Sequence, residues 1–406
     1  MSSSSSASEP HPTLYFPNGD VVLSALIDSE APPTTRLFRV HKFLLMHHSA
    51  TFANMFADAK PGSGESYDGV PMVELQGDKA EDLALLLNYL LSSQMTFKRF
   101  DPNTPLAVSG VIRLADKYCI ESLREHLIKV VVSDWPTTLK EWDIFQIEIK
   151  AAKEKIALTN AEKEGPDPSD FDHLRDHIPE PASAIVFAQE FGCHQILPAA
   201  YYQLSTIEPY HGWNNNWQTS EPCARWELLS KDNLLRYIRG SNHLLVRNPH
   251  EVDFLSSPCY PPRAVMDHEA YVAVLESPCA VFFRHLIAKQ WNARTGGLNR
   301  DPLAFLSRCL EYYASDIGRE NVPGMPCDYC DTSFRTAKIS SFRSIQHGMQ
   351  MAMLSQRMRI RQLSERGSGI LTPKRWPFLP LHWEICKILT GNVERLPTCT
   401  FGHDLI

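Results

Sequence analysis

The period of the apolar pattern changes at His41, which predicts a strand that runs into a helix. Residues 37–40 alternate at period two, as expected for a half-buried strand. Beyond them, large side chains recur at steps of three and four, the spacing of one helix face; they are Leu44, Leu45, His48, Phe52, Met55 and Phe56. Ser49 is a typical N-cap residue inside this pattern, so we predict two short helices that meet there.

Similar patterns extend over residues 14–135. Strands are predicted at 21–27 and 72–75, the first of them in a hairpin with residues 37–40. Asp78 lies three residues before Glu81, which is the spacing of a capping box, and it predicts the start of a leucine-striped helix. Two more helical stripes follow between Val108 and Val131. Three strands followed by a run of helices predict a compact α+β domain.

The remainder of the chain divides by composition. Residues 1–13 form a Ser-rich tail that we expect to be disordered. Residues 136–181 contain one amphipathic helix and then a charged, Pro-bearing linker, so we expect a domain boundary in this range. Residues 182–406 are predicted to be mainly helical, with no repeat period and no function that their pattern identifies.

Composition narrows the class of protein. The chain has 406 residues, 43% of them hydrophobic, which suffices for real cores. Its net charge of −7 gives no general attraction to nucleic acid. Ten scattered cysteines and the lack of a signal peptide favour a reducing compartment, without a disulfide framework. No apolar run reaches the length of about 20 residues that a membrane helix needs, so we expect an intracellular protein, cytoplasmic or nuclear.

The run HKFLLMHHSATFANMF resembles the signature of the BTB/POZ domain. The matching residues are His41, Lys42, Leu45, Ser49, Phe52, Met55 and Phe56; Asp20 fits the acid of the first strand, and residues 115–118 fit the later helix. The longer sequence is most similar to the expanded BTB-domain proteins of mushroom-forming fungi. The resemblance implies a small sheet flanked by helices over residues 14–135, followed by a mainly helical C-terminal region.

The resemblance also implies that the protein acts by contact with other proteins. Homodimerisation or partner capture would use the BTB groove and dimer surface, to which we assign Asp20, His41 and Lys42. Asp20 and Lys42 fit a charged pocket, or alternatively a polar contact that only positions the strand against the helix. Adaptors of cullin-type ubiquitin ligases are one such class, although residues 106–110 lack the acid of the cullin-recruiting signature. The alternative is a homo-oligomeric scaffold or transcription-associated regulator without ubiquitin chemistry.

No nucleotide-binding, hydrolase or metalloprotease motif is present, so we predict no enzyme activity and no cofactor. Cys327 and Cys330 have the two-residue gap of half a zinc site. The candidate partners are Cys309, His347, His382, Cys386, Cys399 and His403, but none has a familiar finger spacing. Ordinary thiols in a Pro-rich turn are therefore favoured over zinc.

A basic cluster near the C-terminus raises the question of nucleic acid. It consists of Arg357, Arg359, Arg361 and Arg366, with Arg343, Lys374 and Arg375 nearby. No aromatic residue lies among these basic residues before Trp376, whereas nucleic-acid-binding segments often carry aromatic residues between their basic ones. The methionines beside the cluster suit a helix that is docked on one side. A solvated helix face is favoured over nucleic-acid binding.

Overall fold

The computed structural model describes residues 8–27, 34–58, 65–92, 97–163, 171–214, 219–244, 277–291, 301–315, 326–339, 341–343 and 345–346. Its first part is built on a mixed sheet of the strands β1 (Ser8–Tyr15), β2 (Val21–Leu26), β3 (Thr35–Val40), β4 (Ser66–Tyr67) and β5 (Val70–Lys79). The order across the sheet is β1-β3-β2-β5-β4. Strands β2 and β3 form the predicted antiparallel hairpin, whereas β2 and β5 run parallel.

Helices pack around this sheet. They are α1 (Lys42–His48), α2 (Ala50–Asp58), α3 (Ala80–Ser92), α4 (Thr104–Lys117) and α5 (Glu121–Ser133). The leucine stripe of α3 lies in the core, because Leu83, Leu86 and Leu87 are fully buried. The predicted α+β architecture is therefore confirmed.

Strand β1 begins earlier than the sequence indicated. Residues 8–13, which were predicted to belong to a disordered tail, are part of β1, and residues 8–10 pair in parallel with β3. Arg36 of β3 also binds Glu9 at 3.1 Å, and Leu14 is almost fully buried. The prediction of disorder for this segment is wrong. Pairing with β3 satisfies hydrogen-bonding groups of its backbone, and this tertiary contact cannot be seen in the composition of the segment. Residues 1–7 lie outside the described residues.

The next helices share the core of the sheet. They are α6 (Leu139–Ala161), α7 (Pro181–Glu190), α8 (Leu197–Thr206) and α9 (Lys231–Leu244). One continuous cluster of buried apolar residues joins Phe38 in the sheet to Phe145 in α6 and Tyr202 in α8. The expected linker is also packed where it is described, since Leu174 and Ile178 are buried with Ile156. The expected boundary does not separate two independent cores.

A second, smaller core lies further along the chain. It is formed by α10 (Pro278–Trp291), α11 (Pro302–Ala314) and α12 (residues 328–339). Its aromatic centre contains Phe282, Phe283, Tyr313 and Phe334. These helices confirm the helical prediction for the described part of the C-terminal region. Among the described residues, no helix combines the length and apolarity that would cross a membrane.

Candidate functional site

The N-terminus of α1 is fixed by Asp20, which precedes β2. The Asp20 carboxylate accepts a hydrogen bond from the backbone N–H of Lys42 at 2.6 Å, and the Asp20 N–H binds the Val40 carbonyl at 3.1 Å. An acid at a helix start also interacts favourably with the helix dipole. Asp20 therefore holds the end of β3 and the start of α1 together, which matches the alternative of a positioning contact.

The side chains of His41 and Lys42 contact aromatic rings. The His41 ring stacks on Phe16 with centroids 6.4 Å apart, and the Lys42 ammonium lies 5.7 Å from the Phe56 ring centroid. Both residues are half-buried, whereas Asp20 is exposed. A role of these residues in a charged groove stays a prediction.

Ser49 separates α1 from α2. Its backbone N–H binds the Leu45 carbonyl at 3.0 Å, which ends the first helix. Its Oγ then accepts a hydrogen bond from the Phe52 N–H at 3.1 Å, which starts the second. The same hydroxyl donates to the Tyr118 carbonyl at 2.6 Å. A buried serine thus caps a helix and ties it to the distant end of α4.

The apolar signature residues lie on one side of this helix pair. Leu45 and Phe52 are fully buried, and Met55 and Phe56 are half-buried against the same core. The Phe52 ring stacks on Tyr118 with centroids 4.3 Å apart. The signature segment is therefore packed directly on residues 115–118, the second stretch that carries the resemblance.

Asp78 lies at the centre of a buried polar contact. Its carboxylate accepts hydrogen bonds from the Tyr118 hydroxyl and, at 2.6 Å, from the Lys117 ammonium. Burial raises the pKa of Tyr118 well above its usual value, and the hydrogen bond to Asp78 raises it further. The expected capping box at Asp78 and Glu81 is wrong, because Asp78 belongs to β5 and α3 begins at Ala80.

A group of apolar side chains is exposed beside the signature. Phe43 and Met46 are one helical turn apart on α1 and are 76% and 42% exposed. Burying such side chains against a partner is favourable, so this group, which we call the α1 face, is a candidate contact surface.

Arg225 connects the sheet unit to the later helices. It is 7% exposed, and its guanidinium donates to the Pro102 carbonyl at 2.9 Å and to the Asn103 side-chain oxygen. The same group lies 3.9 Å from the Trp213 ring centroid. Its backbone N–H binds the buried carboxylate of Glu180, which also caps α7. This set of contacts, the Arg225 joint, was not predicted, because Pro102 and Asn103 are more than a hundred residues away from Arg225 in sequence.

The two cysteines singled out in the sequence are joined by a third. The sulfur atoms of Cys279, Cys327 and Cys330 all lie within 4.8 Å of one another. Cys309, one of the partners considered, lies in the same core but outside this group. The other considered partners and the basic residues 357–375 lie outside the described residues. Sequence reasoning missed Cys279, although Ser277-Pro278 marks the helix start on which it lies.

Comparison with known proteins identifies one domain. Residues 20–134 match the BTB/POZ domain family, and this range contains all the signature residues described above. No curated protein matches the chain. The chain therefore contains a BTB/POZ domain, a protein–protein interaction module, made of a small mixed sheet flanked by helices.

Proposed function

We propose that the BTB/POZ domain of this chain mediates self-association, with the α1 face as the contact between two copies. The observation that carries this proposal is the exposure of Phe43, an aromatic side chain that the core of its own chain leaves largely uncovered. Aromatic residues and methionine are enriched in protein interfaces. The resemblance to BTB domains, which implies homodimerisation, supports the same surface.

The fold supports a scaffold role for the paired chain. The BTB/POZ domain and helices α6 to α8 share one apolar core, and the Arg225 joint adds buried polar contacts between them. A partner held by helices α6 to α8 would therefore be carried rigidly with the BTB/POZ domain. The proposed function is a homo-oligomeric scaffold that brings two copies of such a partner together.

Phe43→Glu is expected to weaken self-association by at least about 30-fold, because burying a phenylalanine contributes about 2 kcal/mol and the mutant would bury a charge instead. Sedimentation velocity across micromolar concentrations measures the change. The matched control is Ile147→Glu on α6, which is 66% exposed and lies outside the α1 face. A wild-type chain that stays monomeric, or equal losses in the two variants, would contradict the proposal.

A second candidate function is substrate adaptor of a cullin-type ubiquitin ligase. Leu106, in the first turn of α4, is 45% exposed and offers an apolar contact beside the BTB/POZ core. The acid expected near this position in cullin-recruiting members is absent from residues 106–110. We therefore expect weaker binding to a cullin than that of an adaptor that carries the acid.

Co-purification with a cullin tests this candidate. If Leu106 makes the contact, Leu106→Glu should reduce capture by at least about tenfold, because it removes apolar burial and adds a charge. Leu158→Glu is the control, since Leu158 is also exposed but lies on α6. Failure of the wild-type chain to bind, where a known adaptor binds, would rule out the adaptor role and leave the scaffold role untouched.

A further inference from the structure

Three thiols from two distant parts of the chain meet at one edge of the second core. Cys279 lies in the first turn of α10, and Cys327 and Cys330 lie at the start of α12. Their sulfur atoms are mutually within 4.8 Å. Four thiolates around zinc at about 2.3 Å place neighbouring sulfurs about 3.8 Å apart, so small side-chain rotations would bring these three to ligand distance.

The backbone around the sulfurs suits a negatively charged centre. The N–H of Cys327 points at the Cys279 sulfur with a donor–acceptor distance of 3.3 Å. The Cys327 carbonyl accepts from the Asp331 N–H at 2.9 Å, which places Cys327 at the N-cap of α12. Two helix N-termini, those of α10 and α12, therefore converge on the sulfurs, and their partial positive charge favours thiolates bound to a metal.

Exposure differs among the cysteines in a way that fits a metal site. Cys279 and Cys330 are buried, whereas Cys327 is exposed and leaves an entry path for an ion. Cys309 lies in the same core with no such access, and burial raises the pKa of its thiol to about 12. Cys309 therefore behaves as an ordinary core thiol, which makes it the natural comparison for the other three.

We propose that Cys279, Cys327 and Cys330 bind one zinc ion as thiolates, with a solvent molecule at the fourth position on the exposed side of Cys327. Three soft sulfur ligands favour zinc over magnesium or calcium, which prefer oxygen. The ion would join the N-termini of α10 and α12, whose cysteines are 48 residues apart in sequence. Its role is structural, because it would link two helix starts that come together only in the folded chain. The proposal is independent of the BTB/POZ function.

Metal analysis of the full-length chain tests the site. Purified without chelator, the wild-type protein is expected to contain one zinc ion per chain. Replacement of zinc by Co²⁺ should give the thiolate-to-cobalt charge-transfer absorption and the intense visible bands of a tetrahedral site. Removal of the metal by chelator should lower the thermal midpoint of unfolding, because the ion binds only the folded arrangement.

Substitutions assign the ligands. Cys327→Ser and Cys279→Ser should each lower zinc affinity by more than about 100-fold, since even changes behind the ligands typically cost about 10–100-fold. Cys309→Ser, in the same core, and Cys119→Ser, at the exposed end of α4, are the controls and should retain zinc. Cys327 is exposed, so its variant tests the site even if replacement of Cys279 disturbs folding.

Three results would overturn the proposal. The first is a folded wild-type chain without stoichiometric zinc that shows no charge-transfer band with Co²⁺. The second is a Cys327→Ser variant that binds zinc as tightly as Cys309→Ser. The third is a disulfide between two of the three cysteines that is already present in the reducing environment of the cell, found by mass spectrometry of protein whose thiols were blocked at lysis.

Discussion

Phe52→Ala is expected to lower the free energy of unfolding by about 3–5 kcal/mol, the usual cost of removing a fully buried phenylalanine. Phe52 has no exposed surface, and its ring stacks on Tyr118 at a centroid distance of 4.3 Å. The cavity would lie between α2 and the end of α4, where Ser49 also makes its two hydrogen bonds. Since a domain is stable by only about 5–15 kcal/mol, this loss is a large share of the total.

Urea unfolding followed by circular dichroism measures the effect, and Phe43→Ala provides the control. Phe43 is on the neighbouring helix but is 76% exposed, so its removal should change the free energy of unfolding by no more than about 0.5 kcal/mol. The measurement is made at a concentration where the wild type and both variants are monomeric, because self-association would stabilise the wild type. Equal losses in the two variants would contradict the division of these phenylalanines into core and surface.

Local features of the sequence predicted the signature segment well. The change of period at His41 and the capping residue Ser49 act over a few residues, so their structural result can be recognised from the sequence. The helix break at Ser49 and the leucine stripe of α3 follow from such short-range rules. The resemblance to BTB domains added the assembly of these elements around one sheet, which periodicity alone does not determine.

Features that depend on distant partners were not predictable in the same way. Asp78 has the local spacing of a helix cap, yet Tyr118, forty positions further on, provides the stronger buried partner. Residues 8–13 are polar, and only pairing with β3 makes them a strand. Cys279 is far from the Cys327 pair in sequence, and nothing in a single sequence reports that the two helix starts meet. These errors share one cause: tertiary contact overrode a local preference.

The Arg225 joint is the other place where a single substitution should have a large effect. Arg225→Met removes the donors to the buried Pro102 carbonyl and to Asn103, and it replaces the cation over Trp213. Leaving a buried acceptor without its donor costs about 1–3 kcal/mol, and a hydrogen bond to a charged group contributes about 1.5–3 kcal/mol. Because Asn103 is exposed and can be rehydrated, we expect a loss of about 3 kcal/mol.

Arg113→Met is the matched control, because Arg113 also connects the BTB/POZ domain to α7. Its guanidinium binds Glu190 at 2.6 and 3.0 Å, but the two side chains are 61% and 35% exposed, so the pair should contribute less than about 1 kcal/mol. Each variant removes one arginine that connects the BTB/POZ domain to the later helices, and the two arginines differ mainly in how deeply they are buried. Urea unfolding, with tryptophan fluorescence as the readout, compares them.

The Arg225 variant also distinguishes two views of the molecule. If the BTB/POZ domain and α6 to α8 form one cooperative unit, Arg225→Met should shift a single unfolding transition to lower urea without changing its slope, because the same surface is exposed. If they unfold separately, the transition should split, with the helices lost first. Because the two parts share one apolar core, we expect a single transition. A split transition would show that the shared core is too weak to couple the BTB/POZ domain to α6 to α8. The scaffold proposal, which requires these two parts to move as one rigid body, would then fail.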